Sequence, residues 1–314
     1  AGGWRGGSDT EVLLEACRAW GAPDAALRFA GMFAFALWDE DEKALTLVRD
    51  RLGKKPLYYG LTDSGLVFGS ELKSLTAHPG FTSRLDRDTL ALYCRFLYVP
   101  DPFCILDGVN KLPPGSLLTL RAPDLAARRL PAPERYWRPE DAALAGLRSP
   151  LAGPEAEEAV REALRLAVRQ RMIADVPLGA FLSGGIDSSL VVALMQEQST
   201  APVKTFTIGF REDGHDEAAH ARAVAERLGT DHTELYLTAR DALDVIPDLP
   251  LHFDEPFADS SQIPTHLVAR LARQHVTVAL SGDGGDEAFG GYNRYLAAPR
   301  LWDILHRLPA AARR

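Results

Sequence analysis

The stretch FLSGGIDSSLVVALM, residues 181–195, joins two apolar runs through a polar, glycine-containing turn. The first run, residues 176–182, predicts a buried strand, and the second, residues 190–195, predicts a buried helix. Glycines let a backbone approach a ligand closely, and the N–H groups that open a helix favour an anion such as phosphate. Asp187 would repel phosphate, so it fits this site when a divalent cation lies between the two.

Length and composition limit the class of protein. A chain of 314 residues suggests two domains, and a formal net charge of −8 argues against nucleic acid as a partner. The sequence has no apolar run long enough to span a bilayer and no secretory signal, so no membrane association is expected. Three cysteines (Cys17, Cys94 and Cys104) favour a reducing, cytoplasmic compartment and packing roles.

The two halves of the chain differ in character. Apolar runs at 32–38 and 44–48, and again at 57–61 and 65–69, flank short polar turns and predict antiparallel hairpins. The proline- and arginine-rich residues from about 112 to 154 are predicted to be loop-like. We place a domain boundary late in this region, which gives domains 1–150 and 151–314.

The second half alternates predicted strands and helices, which indicates a parallel sheet covered by helices. Strands are expected at 176–182, 203–210, 232–237 and 276–280, and helices at 155–172, 217–228 and 261–274. Ligands of such folds lie at the carboxyl ends of the strands. Residues 183–188, the end of 207–210, and residues 281–287 should therefore lie close together.

Each of these motifs has a plainer interpretation. Residues 183–188 could be only a structural turn, and residues 281–287, with three carboxylates, only a solvated surface loop. Other motifs fail: the sequence has no Walker-type GxxxxGK(S/T) and no GxSxG. His215 and His220 are five residues apart and do not share the helix face that a metalloprotease motif requires.

SGGIDS at 183–188 resembles the pyrophosphate-binding loop of the N-type ATP pyrophosphatases. Together with LSGDGGDEAFGGY at 280–292, it resembles the synthetase domain of glutamine-dependent asparagine synthetases. The resemblance implies ATP and Mg²⁺ as cofactors. It also implies the site residues: for phosphate and Mg²⁺, Ser183, Gly184, Gly185, Asp187 and Ser188; for adenosine, Phe181, Ile208, Ser281 and Gly282; and as a second Mg²⁺ ligand, Asp286. Asp283 stands where these enzymes usually have a glutamate that supports aspartyl-AMP formation, so the substrate is left open.

The first half resembles the later part of a class II glutaminase domain, which implies an antiparallel αββα fold. The resemblance rests on VRDRLGKKPLYY at 48–59, GSELK at 69–73, and GSD at 7–9, in which Asp9 matches the aspartate that holds glutamine. Asp9 could instead be a helix-start residue after a capping box of Ser8 and Glu11. Arg49, Asp50 and Arg51 could be a buried ion network. The nucleophilic cysteine of such a domain and a downstream catalytic lysine are not matched, and the chain is expected to be an internal piece of a longer protein.

The combined resemblance implies a carbon–nitrogen ligase whose small-molecule substrates are glutamine, aspartate and ATP. Aspartate would be amidated through aspartyl-AMP by ammonia from glutamine, with release of AMP and pyrophosphate. Two alternatives stay open: an amidotransferase of the same type that acts on a sugar acid or peptide precursor, and a non-catalytic ATP-binding fragment. Asp283 and residues 254–259 are where amidotransferases with different substrates would differ. A homodimer is left open.

Overall fold

The computed structural model describes residues 3–210 and 218–309. It has two compact units, one formed by Ala1–Ala152 with Pro247–Asp259 and the other by Gly153–Ile246 with Ser260–Arg314. His215 and the predicted helix start at Glu217 lie outside the described residues.

The secondary structure before residue 152 mixes short strands and helices. In chain order the elements are α1 (Asp9–Trp20), α2 (Ala22–Arg28), β1 (Ala34–Asp39), β2 (Ala44–Arg49), β3 (Tyr58–Thr62), β4 (Gly65–Gly69), α3 (Leu72–Thr76), α4 (Arg87–Phe96), β5 (Val109–Lys111), β6 (Ser116–Arg121), α5 (Ala122–Ala126), β7 (Glu134–Arg135) and α6 (Pro139–Arg148).

The secondary structure after residue 152 alternates regularly. In chain order the elements are α7 (Gly153–Arg171), β8 (Leu178–Phe181), α8 (Ile186–Glu197), β9 (Lys204–Phe210), α9 (Ala218–Leu228), β10 (Asp231–Leu237), α10 (Ala239–Val245), a 3₁₀ turn (Ile246–Asp248), α11 (Leu249–His252), α12 (Gln262–Ala272), β11 (Val278–Leu280), α13 (Gly285–Phe289) and α14 (Asn293–Leu305).

The first unit contains two antiparallel sheets, with strand orders β1-β2-β6-β7 and β4-β3-β5. Leu47 and Leu118 of one sheet share a buried core with Tyr59 of the other, so the two sheets pack face to face. On the outer faces, Ala26 of α2 packs against Val48 of the first sheet, and Leu75 of α3 packs with Val67 of the second. The layers are helix, sheet, sheet, helix, as the αββα prediction requires.

The second unit contains one parallel sheet with the order β10-β9-β8-β11. Helices α7, α8 and α9 cover one face around a buried core that includes Ala180, Val192 and Ala221. Helix α12 covers the other face, where Leu271 packs against Phe206. The predicted contrast between an antiparallel first half and a parallel second half is confirmed.

Several local predictions need correction. The region expected to be loop-like, about residues 112–154, contains β6, β7, α5 and α6. Strand β6 was missed because proline and glycine surround it, although Leu117, Leu118 and Leu120 are buried. Cys17 and Cys104 are buried as expected, whereas Cys94 is exposed on α4 and fills no core position. Within the described residues, no helix is long and apolar enough to cross a bilayer.

Candidate active site

The loop at residues 183–188 leaves β8 and opens α8. Its turn is organised around the hydroxyl of Ser188, which accepts a hydrogen bond from the Ser183 N–H at 3.2 Å and lies 2.9 Å from the Ser183 hydroxyl. The Gly185 N–H donates to Ser183 Oγ at 3.3 Å. These contacts fix the path of the backbone directly before the first N–H groups of α8.

Gly184 is a glycine for two structural reasons. Its φ of +78° is in the left-handed region, and a Cβ there would lie 2.8 Å from both Ala221 N and His220 Cβ. Gly184 therefore faces helix α9, and it does not line the cavity described below. A glycine at this position lets the loop backbone pass close to α9.

The loop at residues 281–287 leaves β11, which pairs in parallel with β8. Two loops after neighbouring parallel strands emerge at the same sheet edge, as predicted. Ser281 Oγ donates to Asp283 Oδ2 at 2.9 Å and accepts from the Asp283 N–H at 3.4 Å. Gly284, with a φ of +94°, then starts the short helix α13.

The two loops touch through glycines. A Cβ on Gly282 would lie 2.8 Å from Ser188 N and 3.0 Å from the Asp187 backbone carbon. A Cβ on Gly285 would collide with the Asp187 carboxylate itself. Because Gly282 and Gly285 have no side chains, the Asp187 side chain fits between the two loops.

A cavity of about 830 Å³ opens between these loops. It is lined by residues of both loops, of α12 and of the segment after α13. The predicted residues on its wall are Phe181, Ser183, Gly185, Asp187, Ser188, Ser281, Gly282, Asp283 and Asp286. Ile208 does not line it and pairs with Leu235 inside the sheet.

The cavity wall also contains residues to which the sequence interpretation gave no role. They are Ile186, Thr265, Gly284, Glu287, Phe289, Gly291 and Tyr292. Glu287 and Tyr292 lie within the motif quoted at 280–292, so their acidic and phenolic side chains were a usable signal. Thr265 is on α12, and the local sequence carries no sign that this helix reaches the cavity.

Glu287 and Tyr292 form a pair on this wall. The Tyr292 hydroxyl donates to Glu287 Oε1 at 2.6 Å, and the Arg294 guanidinium lies 4.4 Å from the centre of the Tyr292 ring. The hydrogen bond from Tyr292 lowers the pKa of Glu287, so the carboxylate stays ionised, and the same bond raises the pKa of Tyr292 to about 12.

The cavity lining is strongly acidic. Asp187, Asp283, Asp286 and Glu287 are on the wall, and no lysine, arginine or histidine is among the lining residues. A polyphosphate could enter such a cavity only with cations. Carboxylate oxygens suit Mg²⁺, which usually takes one or two protein carboxylates and completes its shell with water and phosphate oxygens. The described residues hold no cluster of three or more metal-binding side chains, and the donors present fit Mg²⁺ bound jointly with a phosphate ligand.

Asp9 lies in the first unit. It is the first residue of α1, and together with Trp4, Gly7 and Glu11 it lines a separate cavity of about 250 Å³. The predicted capping box is only half present, because Ser8 Oγ accepts from the Thr10 N–H while the Glu11 carboxylate accepts from Arg5 and Gly6 instead of Ser8.

Arg49 and Asp50 are buried and serve the fold. Arg49 donates to the carbonyls of Lys55, Gly53 and Leu112 and pairs with Asp101 at 3.0 Å. The Asp50 carboxylate accepts from the N–H of Phe33, directly before β1, and from the N–H groups of Leu52, Lys54 and Lys55, which follow β2. The structural interpretation of these two residues is therefore supported. Arg51 differs, since it donates to the Leu27 carbonyl at the surface.

Comparison with known proteins identifies the protein family. Residues 159–314 match the family model for asparagine synthase, and residues 1–137 match that for a glutamine amidotransferase domain. The chain belongs to the asparagine synthase family and matches both of these domain models.

Curated relatives agree with this assignment over nearly the whole chain. The chain is 36% identical to the glutamine-hydrolyzing asparagine synthetase 1 of Bacillus subtilis (98% of this chain, 46% of the relative). It is 30% identical to the glutamine-hydrolyzing asparagine synthetase B of Escherichia coli (95% and 50%), and 33% identical to the amidase chry2 of Gibberella zeae (97% and 46%). The chain thus spans about half the length of the curated relatives it matches.

Proposed function

We propose that the protein containing this chain is a glutamine-hydrolysing asparagine synthetase. It amidates aspartate through an aspartyl-AMP intermediate, with nitrogen from glutamine and release of AMP and pyrophosphate. The observation that carries the proposal is the meeting of two glycine-rich strand-end loops around one acidic cavity. The similarity to synthetases along both units supports it. We further propose a cytoplasmic protein with small-molecule substrates and no nucleic-acid or membrane partner.

The residues around the cavity take separate roles in this proposal. The backbone and hydroxyls of residues 183–188 bind the β/γ-phosphates, because a glycine turn followed by a helix presents N–H donors to an anion. Asp187 and Asp286 would hold Mg²⁺, which would supply positive charge against the leaving pyrophosphate. Phe181, Ser281 and Gly282 surround the adenosine, and Gly184 belongs to the phosphate-binding turn, where it lets the backbone pass close to α9. Asp9 holds glutamine in the first unit.

Asp283 is the proposed catalytic residue. It lies on the cavity wall, and its carboxylate is oriented by the Ser281 hydroxyl. In this position it supports attack of the substrate carboxylate on the α-phosphorus of ATP. The contribution of the chain to that step is mainly positioning and electrostatic stabilisation of the charge that leaves with pyrophosphate.

Product analysis of the full-length protein tests the proposal. With ATP, Mg²⁺, aspartate and ammonium, we expect AMP, pyrophosphate and asparagine in equal amounts. ADP as the nucleotide product, or no nucleotide turnover by the folded protein with any carboxylate tried, would contradict it. The same assay with glutamine in place of ammonium tests the first unit.

A second function is an amidotransferase of the same type that acts on another carboxylate. The observation that favours it is Asp283, which is one methylene shorter than the glutamate usual in asparagine synthetases. The similarity to an amidase, chry2, over 97% of this chain is also consistent with it. AMP formation that requires a carboxylate other than aspartate would select this function.

Replacing Asp187 by alanine separates the two activities. We expect pyrophosphate release to fall by at least about 100-fold, because removal of one preorganised electrostatic group at a developing charge typically costs that much. Glutamine hydrolysis should be largely retained, since Asp187 belongs to the second unit. Asp175→Ala, an exposed aspartate before β8, is the matched control and should keep both activities. Wild-type pyrophosphate release by Asp187→Ala would exclude the assigned role.

A further inference from the structure

Residues 247–259, here called the returning segment, belong to the first unit although the chain on both sides of them belongs to the second. The chain leaves the second unit after Ile246 and re-enters it at Ser260. The family match for asparagine synthase, residues 159–314, includes this whole segment. A stretch within the synthetase match is thus built into the unit that matches a glutamine amidotransferase.

Glu255 binds the returning segment to the rest of the first unit through a buried ion pair. Its Oε2 lies 2.5 Å from Lys111 Nζ, and the two side chains are only 10% and 11% exposed. Its Oε1 accepts from the Ile105 N–H at 2.8 Å, and its Oε2 also accepts from the Tyr58 hydroxyl at 3.4 Å. Lys111 also donates to the Val99 carbonyl at 2.6 Å.

Asp254 makes a second anchor beside the first. Its Oδ2 accepts from the Leu72 N–H at 2.6 Å, at the start of α3, and its Oδ1 pairs with Lys73 at 3.0 Å. Lys73 also donates to the Leu251 carbonyl of the same segment at 3.0 Å. Further along, the Ala258 N–H donates to the Leu97 carbonyl at 2.9 Å.

These contacts assign the two carboxylates a role different from substrate selection. Neither Asp254 nor Glu255 is among the residues that line the large cavity. Both carboxylates form ion pairs with lysines of the first unit and accept hydrogen bonds from its backbone N–H groups. A buried ion pair of this kind is costly to break from one side, because the remaining charge is left without a partner.

The returning segment leads directly into the cavity wall of the second unit. Only Ser260 and Ser261 lie between its last residue and the start of α12, and Thr265 of α12 lines the cavity. Because the connection is only two residues long, a displacement of the returning segment would also displace the start of α12. We infer that Asp254 and Glu255 are positioning residues, which hold the returning segment on the glutaminase unit and so couple glutamine-derived nitrogen to amidation.

This inference rests on the proposed function, and its test uses the full-length protein. Three variants are compared with wild type: Glu255→Gln, Lys111→Met, and the double variant, which removes both charges but keeps an amide oxygen for the Ile105 N–H. Asp244→Asn is the matched control, because Asp244 forms an exposed ion pair with Arg240 on α10. The readouts are asparagine formed per glutamine hydrolysed, ammonium-driven synthesis, and hydrogen exchange of residues 247–259.

We expect Glu255→Gln to lower asparagine formed per glutamine by roughly fivefold or more and to speed exchange of the segment roughly tenfold, since it leaves Lys111 buried and unpaired. Ammonium-driven synthesis should stay within about twofold of wild type, and the double variant should recover much of the coupling, as expected for residues in direct contact. If Glu255→Gln fails to fold, Asp254→Asn, which keeps an acceptor for the Leu72 N–H, should show the same pattern more weakly.

The outcomes separate this inference from the proposed function. A parallel loss of glutamine-driven and ammonium-driven synthesis would mean that the pair only supports the fold, and an unchanged ratio would mean that it couples nothing. Either result overturns the inference and leaves the proposed function intact. A wild-type protein that forms no amide from either nitrogen source would overturn the proposed function, and the inference with it.

Discussion

At the scale of single residues, the candidate site depends on how closely two backbones approach. Asp187 lies at the junction of the two loops, and glycines at 282 and 285 leave the space that it occupies. A carboxylate at the start of α8 is compatible with the helix itself, but it would repel a phosphate bound at the same place unless a cation lies between them. The loops therefore have the properties of a site for a metal-bound phosphate.

Gly282→Ala tests this close approach. Its Cβ would lie 2.8 Å from Ser188 N, which is backbone, so one loop must shift. We expect AMP formation to fall by about 10- to 100-fold, since displacements near 1 Å at a reacting site carry costs of that order. The rate of pyrophosphate release is the measurement.

Gly146→Ala is the control for that variant. Gly146 is in helix α6, and a Cβ there meets nothing within 4 Å. The substitution should leave activity unchanged and raise the free energy of unfolding by up to about 1 kcal/mol through helix propensity. Equal activity of Gly282→Ala and Gly146→Ala would show that the loop contact is not required.

At the scale of elements, strand β10 carries a largely buried histidine side chain that should make stability depend on pH. His232 Nδ1 lies 2.8 Å from the Thr205 hydroxyl, and Nε2 lies 3.6 Å from Glu234. Burial lowers the pKa of His232, and the nearby Glu234 carboxylate offsets this only in part.

The sign of the pH effect follows from that lowered pKa. As the pH falls below about 6.5, the unfolded chain takes up a proton at His232 before the folded chain does, so stability decreases until the lowered pKa is passed. Between about pH 7.5 and about pH 5.5, we expect the Tm of His232→Asn to fall by less than the Tm of wild type, and calorimetry measures both. His306→Gln, at an exposed position, should behave as wild type. A larger Tm loss in His232→Asn would contradict the burial argument.

The elements that carry the site were predictable because the necessary signals are local. The strand, glycine turn and helix around residues 181–195, and the loop at 281–287, each combine apolar periodicity with turn residues in one continuous stretch. Strand β6 was not predictable in the same way, since Gly115 and the prolines near it gave a loop signal. Gly115 is a glycine because of a contact distant in sequence, since a Cβ at this position would lie 2.5 Å from the Trp137 carbonyl oxygen.

At the scale of the whole molecule, the limits of prediction are set by contacts between distant parts of the chain. The sequence places Asp254 and Glu255 in an acidic stretch with no nearby cation, which suggests a substrate-binding role. The partner of Glu255 is Lys111 on β5, a residue in the other half of the sequence. Local pattern contains no information about that pairing, and so the sequence did not indicate that the chain returns to its first unit.

A double-mutant cycle measures whether this long-range pair holds the returning segment. Glu255→Gln and Lys111→Met should each lower the free energy of unfolding, and their combination should cost less than the sum, with a coupling energy of about 1–3 kcal/mol for residues in contact. The comparison pair is Arg240 and Asp244, whose side chains are 81% and 59% exposed. Its cycle should give no more than about 0.5 kcal/mol, because water screens exposed i,i+4 pairs. Denaturant unfolding of the four proteins in each cycle supplies the energies. Equal coupling in the two cycles would mean that the Glu255–Lys111 pair is screened like a surface pair and does not anchor the segment.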